Sequence, residues 1–438
     1  MARFLYSLVF CFLLPVILMR LLLRARKAPA YGERWLERFG IFKAAAAPPA
    51  KDQQKDAIWF HTVSVGEFIA AVPLIEQVMA AYPHRPIVIT TTTPTGSDQV
   101  KKRFASELGK RLTHVYLPYD LPWFLGAFLR RARPQLLIIL ETELWPNLMH
   151  SCQQNGTRVL VANARLSAKS AKGYGKLARL SAQMLANIDC MAVQNASDGQ
   201  RFLELGLNAA HMAVTGSIKF DLSIEPALMA QGQAWRERWG SERKVVIVAS
   251  THQGEDDIAL TAFQSLLEAE PTALLIVVPR HPERFDDVAQ LIASRGLQLA
   301  RRSQLTQGSQ RTPLNTHSQV LLVDSMGELM EFLAASDVCI MGGSYVQNGG
   351  HNPLEPAALS VPILMGPSQF NFMLICQQLE QAGGLQTVSE EQLAEALLRW
   401  LQDDALRMQK GKQAQQVVAA NRGAKQKVFA LIAQQLAG

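Results

Sequence analysis

At 438 residues the chain is too long for one ordinary core, and two domains with a small addition are expected. Hydrophobic residues make up 48% and charged residues 18%, with 28 Gly and 21 Pro, which excludes collagen-like and low-complexity chains. The net charge of +7 suits an anionic partner, whether a membrane surface, a phosphorylated substrate or nucleic acid, and it equally suits plain solubility.

The chain opens on an apolar run, Phe4 to Leu23, broken only by Ser7, Pro15 and Arg20. As a helix it matches one bilayer thickness, and no small-residue cleavage site follows it. Arg24, Arg26 and Lys27 come next and mark the cytoplasmic side, so residues 1–27 are expected to anchor the body to the inner face of a membrane. A helix that crosses with its start outward and a helix that lies in the interface, with Arg20 reaching the headgroups, both fit. The amphipathic stretch Arg34–Phe39 fits either the lipid surface or the domain. The five cysteines, Cys11, Cys152, Cys190, Cys339 and Cys376, form no C-x-x-C pair and are odd in number, so reduced core thiols in a cytosolic body are expected.

Ala44 to Asp56 reads as a loop. Short apolar runs then predict buried strands at 58–63, 87–92, 136–140, 159–162, 191–193 and 212–214, with helical patterns such as 68–82 and 175–186 between them. A second series follows Pro226, at 245–249, 274–278, 320–323, 338–341 and 362–364, and the tail from Asp403 is helical. Strands alternating with helices predict an α/β chain of two doubly wound, Rossmann-like domains, 28–225 and 226–438. The polar stretch Arg302–Ser318 reads as a surface loop.

Six motifs fall at strand ends, where ligands bind in such sheets. In His61-Thr-Val-Ser64-Val-Gly66-Glu67, Glu67 opens a helix. It can accept a proton from a hydroxyl, and it also suits a helix start through the dipole, worth about 0.3–1 kcal/mol; taken alone, the residues favour the second reading. In Glu141-Thr-Glu143-Leu-Trp-Pro-Asn147, Glu141 ends a strand and faces the crevice, whereas Glu143 suits a helix cap. Lys219, in Thr215-Gly-Ser-Ile-Lys-Phe-Asp221, stands near the linker, where it could meet a phosphate or simply be solvated. Pro279 and Arg280 begin a proline-fixed turn, and the guanidinium can grip phosphate or a base edge. Met326-Gly327-Glu328 offers close backbone approach and a helix start for an anion. The glycine-rich loop 342–350 leads into Asn352-Pro353-Leu354-Glu355, where Glu355 can bond ribose hydroxyls. No D-x-D, Walker loop or zinc spacing occurs, so no metal or other cofactor is expected, and Lys, Arg and backbone dipoles must neutralise a leaving group. Gly173–Ala178 nominally fits a dinucleotide fingerprint, but a polar SAKSAK rather than a strand precedes it.

Together, HTVSVGE, ETELWPN, NARLS (163–167), TGSIKFD, PRHPERF, MGELM and GGHNPLEPA resemble the Kdo (3-deoxy-D-manno-octulosonic acid) transferases of lipopolysaccharide synthesis over nearly the whole chain. The resemblance implies a GT-B glycosyltransferase, with two Rossmann-like domains facing a cleft. It implies an inverting, metal-independent transfer of Kdo from CMP-Kdo to the phosphorylated lipid A precursor, lipid IVA. It implies that Glu67 is the general base and that Glu141 and Lys219 stabilise the transition state. It also implies that Pro279, Arg280, Met326, Gly327, Glu328, Asn352, Pro353, Leu354 and Glu355 hold CMP. The implied address is the inner-membrane surface, with no nucleic-acid partner.

Overall fold

A computed structural model describes residues 2–43, 56–222, 224–306 and 318–437. Of the loop read at Ala44–Asp56 only Asp56 is described, and 307–317 of the polar stretch Arg302–Ser318 also lie outside the described residues.

The chain divides into two compact units, Met1–Lys219 with Arg422–Gly438, and Phe220–Asn421. The first holds a seven-stranded sheet built from β1 (Ala57–His61), β2 (Ile87–Thr91), β3 (Leu112–Tyr116), β4 (Pro134–Leu140), β5 (Arg158–Ala164), β6 (Cys190–Val193) and β7 (Met212–Val214). Its order is β3-β2-β1-β4-β5-β6-β7, and the pairings are parallel. β1 is buried throughout, so both of its faces need apolar side chains. Ile58 and Phe60 pack with the helix Val65–Ala81, while Trp59 packs on the other side with Phe128 and Leu148. The chain order reverses between β1 and β4, which are neighbours in the sheet with His61 beside Ile139. That reversal opens the crevice in which doubly wound sheets bind ligands.

The second unit repeats the plan with β8 (Val245–Thr251), β9 (Leu274–Pro279), β10 (Leu299–Arg301), β11 (Val320–Leu322), β12 (Val338–Met341), β13 (Ile363–Met365) and β14 (Leu385–Thr387). The order is β10-β11-β9-β8-β12-β13-β14, again parallel, with the reversal between β8 and β12. Apolar clusters cover both faces.

The expected boundary of the second domain at 226–438 needs correction. The helix Ala424–Ala437 packs on the first unit, burying Ala424, Val428, Ile432 and Leu436 against β1 and β4 side chains. These residues recur every four positions and form one stripe. Arg158 donates to the Gln435 carbonyl at 2.8 Å and Gln77 to Gln426 at 2.8 Å, which fixes the helix in register. The helix expected at 175–186 is two, Ala168–Gly175 and Ala178–Leu185, so the discounted fingerprint follows a helix and not a strand.

The apolar amino terminus is one helix, Ala2–Lys27, the one described segment long and apolar enough to cross a membrane. The Arg34–Phe39 stretch packs on the first unit. Arg34 donates to Ser97 at 2.8 Å and to the His114 carbonyl at 2.7 Å, and buried Arg38 lies over the Tyr116 ring.

Candidate active site

In the first unit the β1–β4 reversal brings the motif carboxylates together. β1 ends at His61, which stays neutral because full burial pushes its pKa down to about 4. The chain then turns through Ser64, whose hydroxyl caps the helix Val65–Ala81 by accepting from the Glu67 N–H at 3.2 Å. The Glu67 carboxylate accepts in turn from Val63 N–H at 2.8 Å and Ser64 Oγ at 3.1 Å. This reciprocal cap shows why a serine three residues before a glutamate starts the helix here. Burial raises the Glu67 pKa above the ordinary carboxylate value, the Glu141 charge adds to that, and the bonds from Val63 and Ser64 only partly oppose it.

Glu141 leaves β4 with φ at 58°, a left-handed backbone uncommon for a residue with a side chain. Its N–H still bonds the Ala162 carbonyl at 2.9 Å. The turn directs the carboxylate to Lys219 Nζ at 2.7 Å and Arg165 Nε at 3.0 Å. Lys219 is therefore placed by an acid and is not a freely solvated cation. The chain beside it is pinned where Asn163, also left-handed at φ 58°, accepts from Ile218 N–H at 3.1 Å. Thr142 bonds the Arg165 backbone, tying the turns after β4 and β5 together. Strained backbone at two adjoining strand ends is a frequent mark of a site.

Glu143 does not cap the next helix, as expected from its place in the sequence. The helix Pro146–Gln154 is capped by Asp120, whose carboxylate accepts from Asn147 N–H at 3.0 Å and Leu148 N–H at 2.7 Å. Glu143 is half-buried instead, and burial together with the Glu67 and Glu141 charges raises its pKa.

In the second unit the equivalent reversal joins the turns after β8 and β12. Gly342 approaches so closely that a Cβ there would lie 2.5 Å from the Ser250 carbonyl oxygen. Glu255, only 2% exposed, braces this junction: its carboxylate accepts from His252 N–H at 2.8 Å, Gly343 N–H at 2.7 Å and Tyr345 N–H at 3.0 Å. His252 and His351 stack, with their Nε2 atoms 2.8 Å apart; burial lowers both pKa values, that of His351 to about 4.

The Arg280 N–H bonds the Thr251 carbonyl at 3.0 Å, which seats the Pro279-Arg280 turn beside the same junction. Glu355 is half-buried. Burial raises its pKa, whereas the Asn352 amide, 3.2 Å away, and the Arg280 charge lower it. Arg280, Asn352, Pro353, Leu354 and Glu355 thus form one group, with Leu354 N–H bonded to Asn352 Oδ1 at 3.2 Å.

The Met326-Gly327-Glu328 turn follows β11, the sheet neighbour of β9. Gly327 has φ at 92° with open space around it, and Met326 is exposed. The Glu328 carboxylate is committed to Arg302 at 2.5 Å and to Ser325, so this turn offers a ligand its backbone more than that side chain. The helices Leu329–Ala334 and Leu354–Ala358 are 6 and 5 residues long.

Sequence reading missed three residues: Glu255, Arg165 and Asp120. The Thr251-His252-x-x-Glu255 run from strand end to helix start resembles an ordinary favourable first turn. Only the positions of Gly343 and Tyr345 reveal the brace.

Comparison with known proteins decides the class. The family model for 3-deoxy-D-manno-octulosonic-acid transferase matches residues 33–222, and that for glycosyl transferases group 1 matches 235–417. A 3-deoxy-D-manno-octulosonic acid transferase of Haemophilus influenzae is 40% identical, with 99% of this chain and 98% of that one aligned. The chain belongs to the Kdo transferase family. A Bordetella pertussis Kdo transferase is 35% identical over 97% of both chains. A solved glycosyltransferase from Rickettsia africae, 13% identical, covers 87% of this chain and 99% of its own with a TM-score of 0.54, and so shows the fold. This Kdo transferase family member is a glycosyltransferase of the two-Rossmann, GT-B type.

Proposed function

We propose that the chain transfers Kdo from CMP-Kdo to a hydroxyl of the phosphorylated lipid A precursor, lipid IVA, with inversion and without a metal. The observation that carries the reading is the switch point of the first sheet. There a half-buried, cap-held Glu67 with a raised pKa stands near a Glu141–Lys219 ion pair. Ionised Glu67 takes the proton of the acceptor hydroxyl as that oxygen bonds the anomeric carbon of Kdo. The bond from that carbon to the CMP phosphate oxygen breaks, and its electron pair leaves with CMP. A base with a pKa raised toward the working pH contributes roughly 10² to 10⁴ in rate. Glu141 fixes Lys219 and Arg165 at the site, and Lys219 stabilises charge in the transition state.

In the second unit, Arg280 meets CMP phosphate or the base edge, and Glu355 with Asn352 meets the ribose. Pro279, Pro353 and Leu354 set their turns, and Met326, Gly327 and Glu328 complete the nucleotide site. Lys and Arg supply the cationic stabilisation that a metal supplies elsewhere; the lack of a D-x-D motif supports this. The apolar Ala2–Lys27 helix supports work at the cytoplasmic surface of the inner membrane, where a lipid acceptor is presented.

The test is purified protein with CMP-Kdo and lipid IVA, with and without a chelator, and products weighed. The expected product carries the mass of added Kdo in both arms. No mass gain refutes the acceptor or donor, and a gain abolished by chelation refutes metal independence.

A further inference from the structure

We infer that the Ala2–Lys27 helix lies in the plane of the membrane interface and does not cross the bilayer. The inference rests on the membrane-surface reading above and refines it. As one helix of 26 residues it is about 39 Å long, enough to span a bilayer core of about 30 Å. A spanning helix must leave its first turn on the far side, away from the body that its other end joins. Here the first turns of the helix are bonded to the same unit that the chain joins seven residues after its last turn.

At the start, Asn147, wholly buried, donates its amide to Ser7 Oγ at 3.0 Å and accepts from Arg3 at 3.2 Å. The same amide donates to the Asp120 carbonyl at 2.8 Å, so the latch is continuous with the Asp120 cap of the helix Pro146–Gln154. Tyr6 turns toward the Asp120 carboxylate. At the far end, Arg34 and Glu37 bond Ser97, the His114 carbonyl and the Tyr116 N–H. Ser97 lies in the helix Pro94–Arg103 that follows β2, and His114 and Tyr116 lie in β3, so the chain on both sides of the helix is held to the first unit.

The remaining face is what a lipid surface would take. Phe4, Phe12, Val16, Met19 and Leu23 are exposed along it, with Phe12 at 75%. Arg20, Arg24 and Arg26 are exposed among or beyond them. Apolar side chains with cations alongside match the acyl boundary and anionic headgroups of a leaflet. Beside the first turns a groove of about 660 Å³ is lined by Arg3, Phe4, Leu8, Trp123, Arg130 and His150, and Trp123 is 55% exposed. A half-exposed Trp with Arg continues the same surface onto the body, as interfacial anchors do.

The experiment is cysteine labelling of the full chain in spheroplasts. A Cys11→Ser background carries Ala2→Cys, probed with a membrane-impermeant maleimide before and after permeabilisation, and the membrane fraction is collected. The expected result is a membrane-bound chain labelled only after permeabilisation. Labelling in intact spheroplasts overturns the inference, because the start then faces outward, yet leaves the membrane-surface reading standing. A chain recovered wholly in the soluble fraction overturns both. A second pair, Ser7→Cys with Asn147→Cys in the Cys11→Ser background, should form a disulfide on mild oxidation in isolated membranes, because the two side chains touch. Absence of that disulfide, where the reduced double variant sediments with the membranes as the native chain does, overturns the latch.

Discussion

Replacing Glu255 by Gln removes a charge and one acceptor from the junction between β8 and β12. The carboxylate serves three backbone N–H groups at 2.7–3.0 Å and is almost fully buried. A glutamine keeps one acceptor oxygen and turns an NH₂ toward an N–H. Two retained bonds each lose roughly 1 kcal/mol of charge assistance, and one buried donor left unmet costs about 1–3 kcal/mol, so the loss is about 3–5 kcal/mol. For a unit near 200 residues that lowers its melting midpoint by on the order of 10 °C. The assay is scanning calorimetry with and without CMP, the transition of the second unit being the one CMP should raise under the proposed function. CMP affinity should fall as well, because the Gly343 turn also positions His351, which a Cβ on Gly343 would meet at 3.1 Å. A Glu255→Gln protein with wild-type melting and CMP affinity refutes the brace.

The Glu141 charge raises the Glu67 pKa. If Glu67 is the base, as proposed, it works ionised, and kcat/KM in the native protein should fall on the acid side with an apparent pKa above the ordinary Glu value. Glu141→Gln should shift that limb to lower pH as well as slow turnover, and a limb that stays or rises contradicts the coupling. Ile432→Ala, in the carboxyl-terminal helix, should cost about 2–5 kcal/mol, because the side chain is fully buried against the first sheet. The loss should appear in the first unit's transition; a loss confined to the second restores the expected 226–438 domain. Arg165→Ala should reduce kcat with little change in CMP affinity, since the residue pairs with Glu141 in the first unit; calorimetric titration and steady-state rates separate the two effects.

Most of this architecture is legible because parallel strands buried on both faces need continuous apolar runs. The unread strands are β3, β10 and β14, which lie at sheet edges. Thr113 and His114 interrupt the pattern in β3, while β10 and β14 are only three residues long. The carboxyl-terminal stripe reads as a helix, but nothing local says which sheet receives it. At the candidate site, strand ends singled out Glu67, Glu141, Lys219, Arg280 and Glu355 as candidates, with only the family resemblance giving Glu67 and Lys219 roles beyond a cap and a solvated cation. The sequence does not encode visibly that Glu141 takes a left-handed backbone, or that this turns it onto Lys219. The Ser64–Glu67 spacing supports both a cap and a base, and the structure shows the cap bonds together with the burial that raises the acid. Asp120 and Glu255 escaped notice because each serves backbone N–H groups brought close only by the fold.

The most direct test of the central claim compares Glu67→Gln with the native protein in single-turnover transfer from CMP-Kdo to lipid IVA, with CMP binding measured on the same samples. The account predicts a rate lower by roughly 10² to 10⁴ with nucleotide affinity unchanged. A Glu67→Gln protein that transfers at the native rate, or that loses rate only in proportion to lost CMP binding, contradicts it.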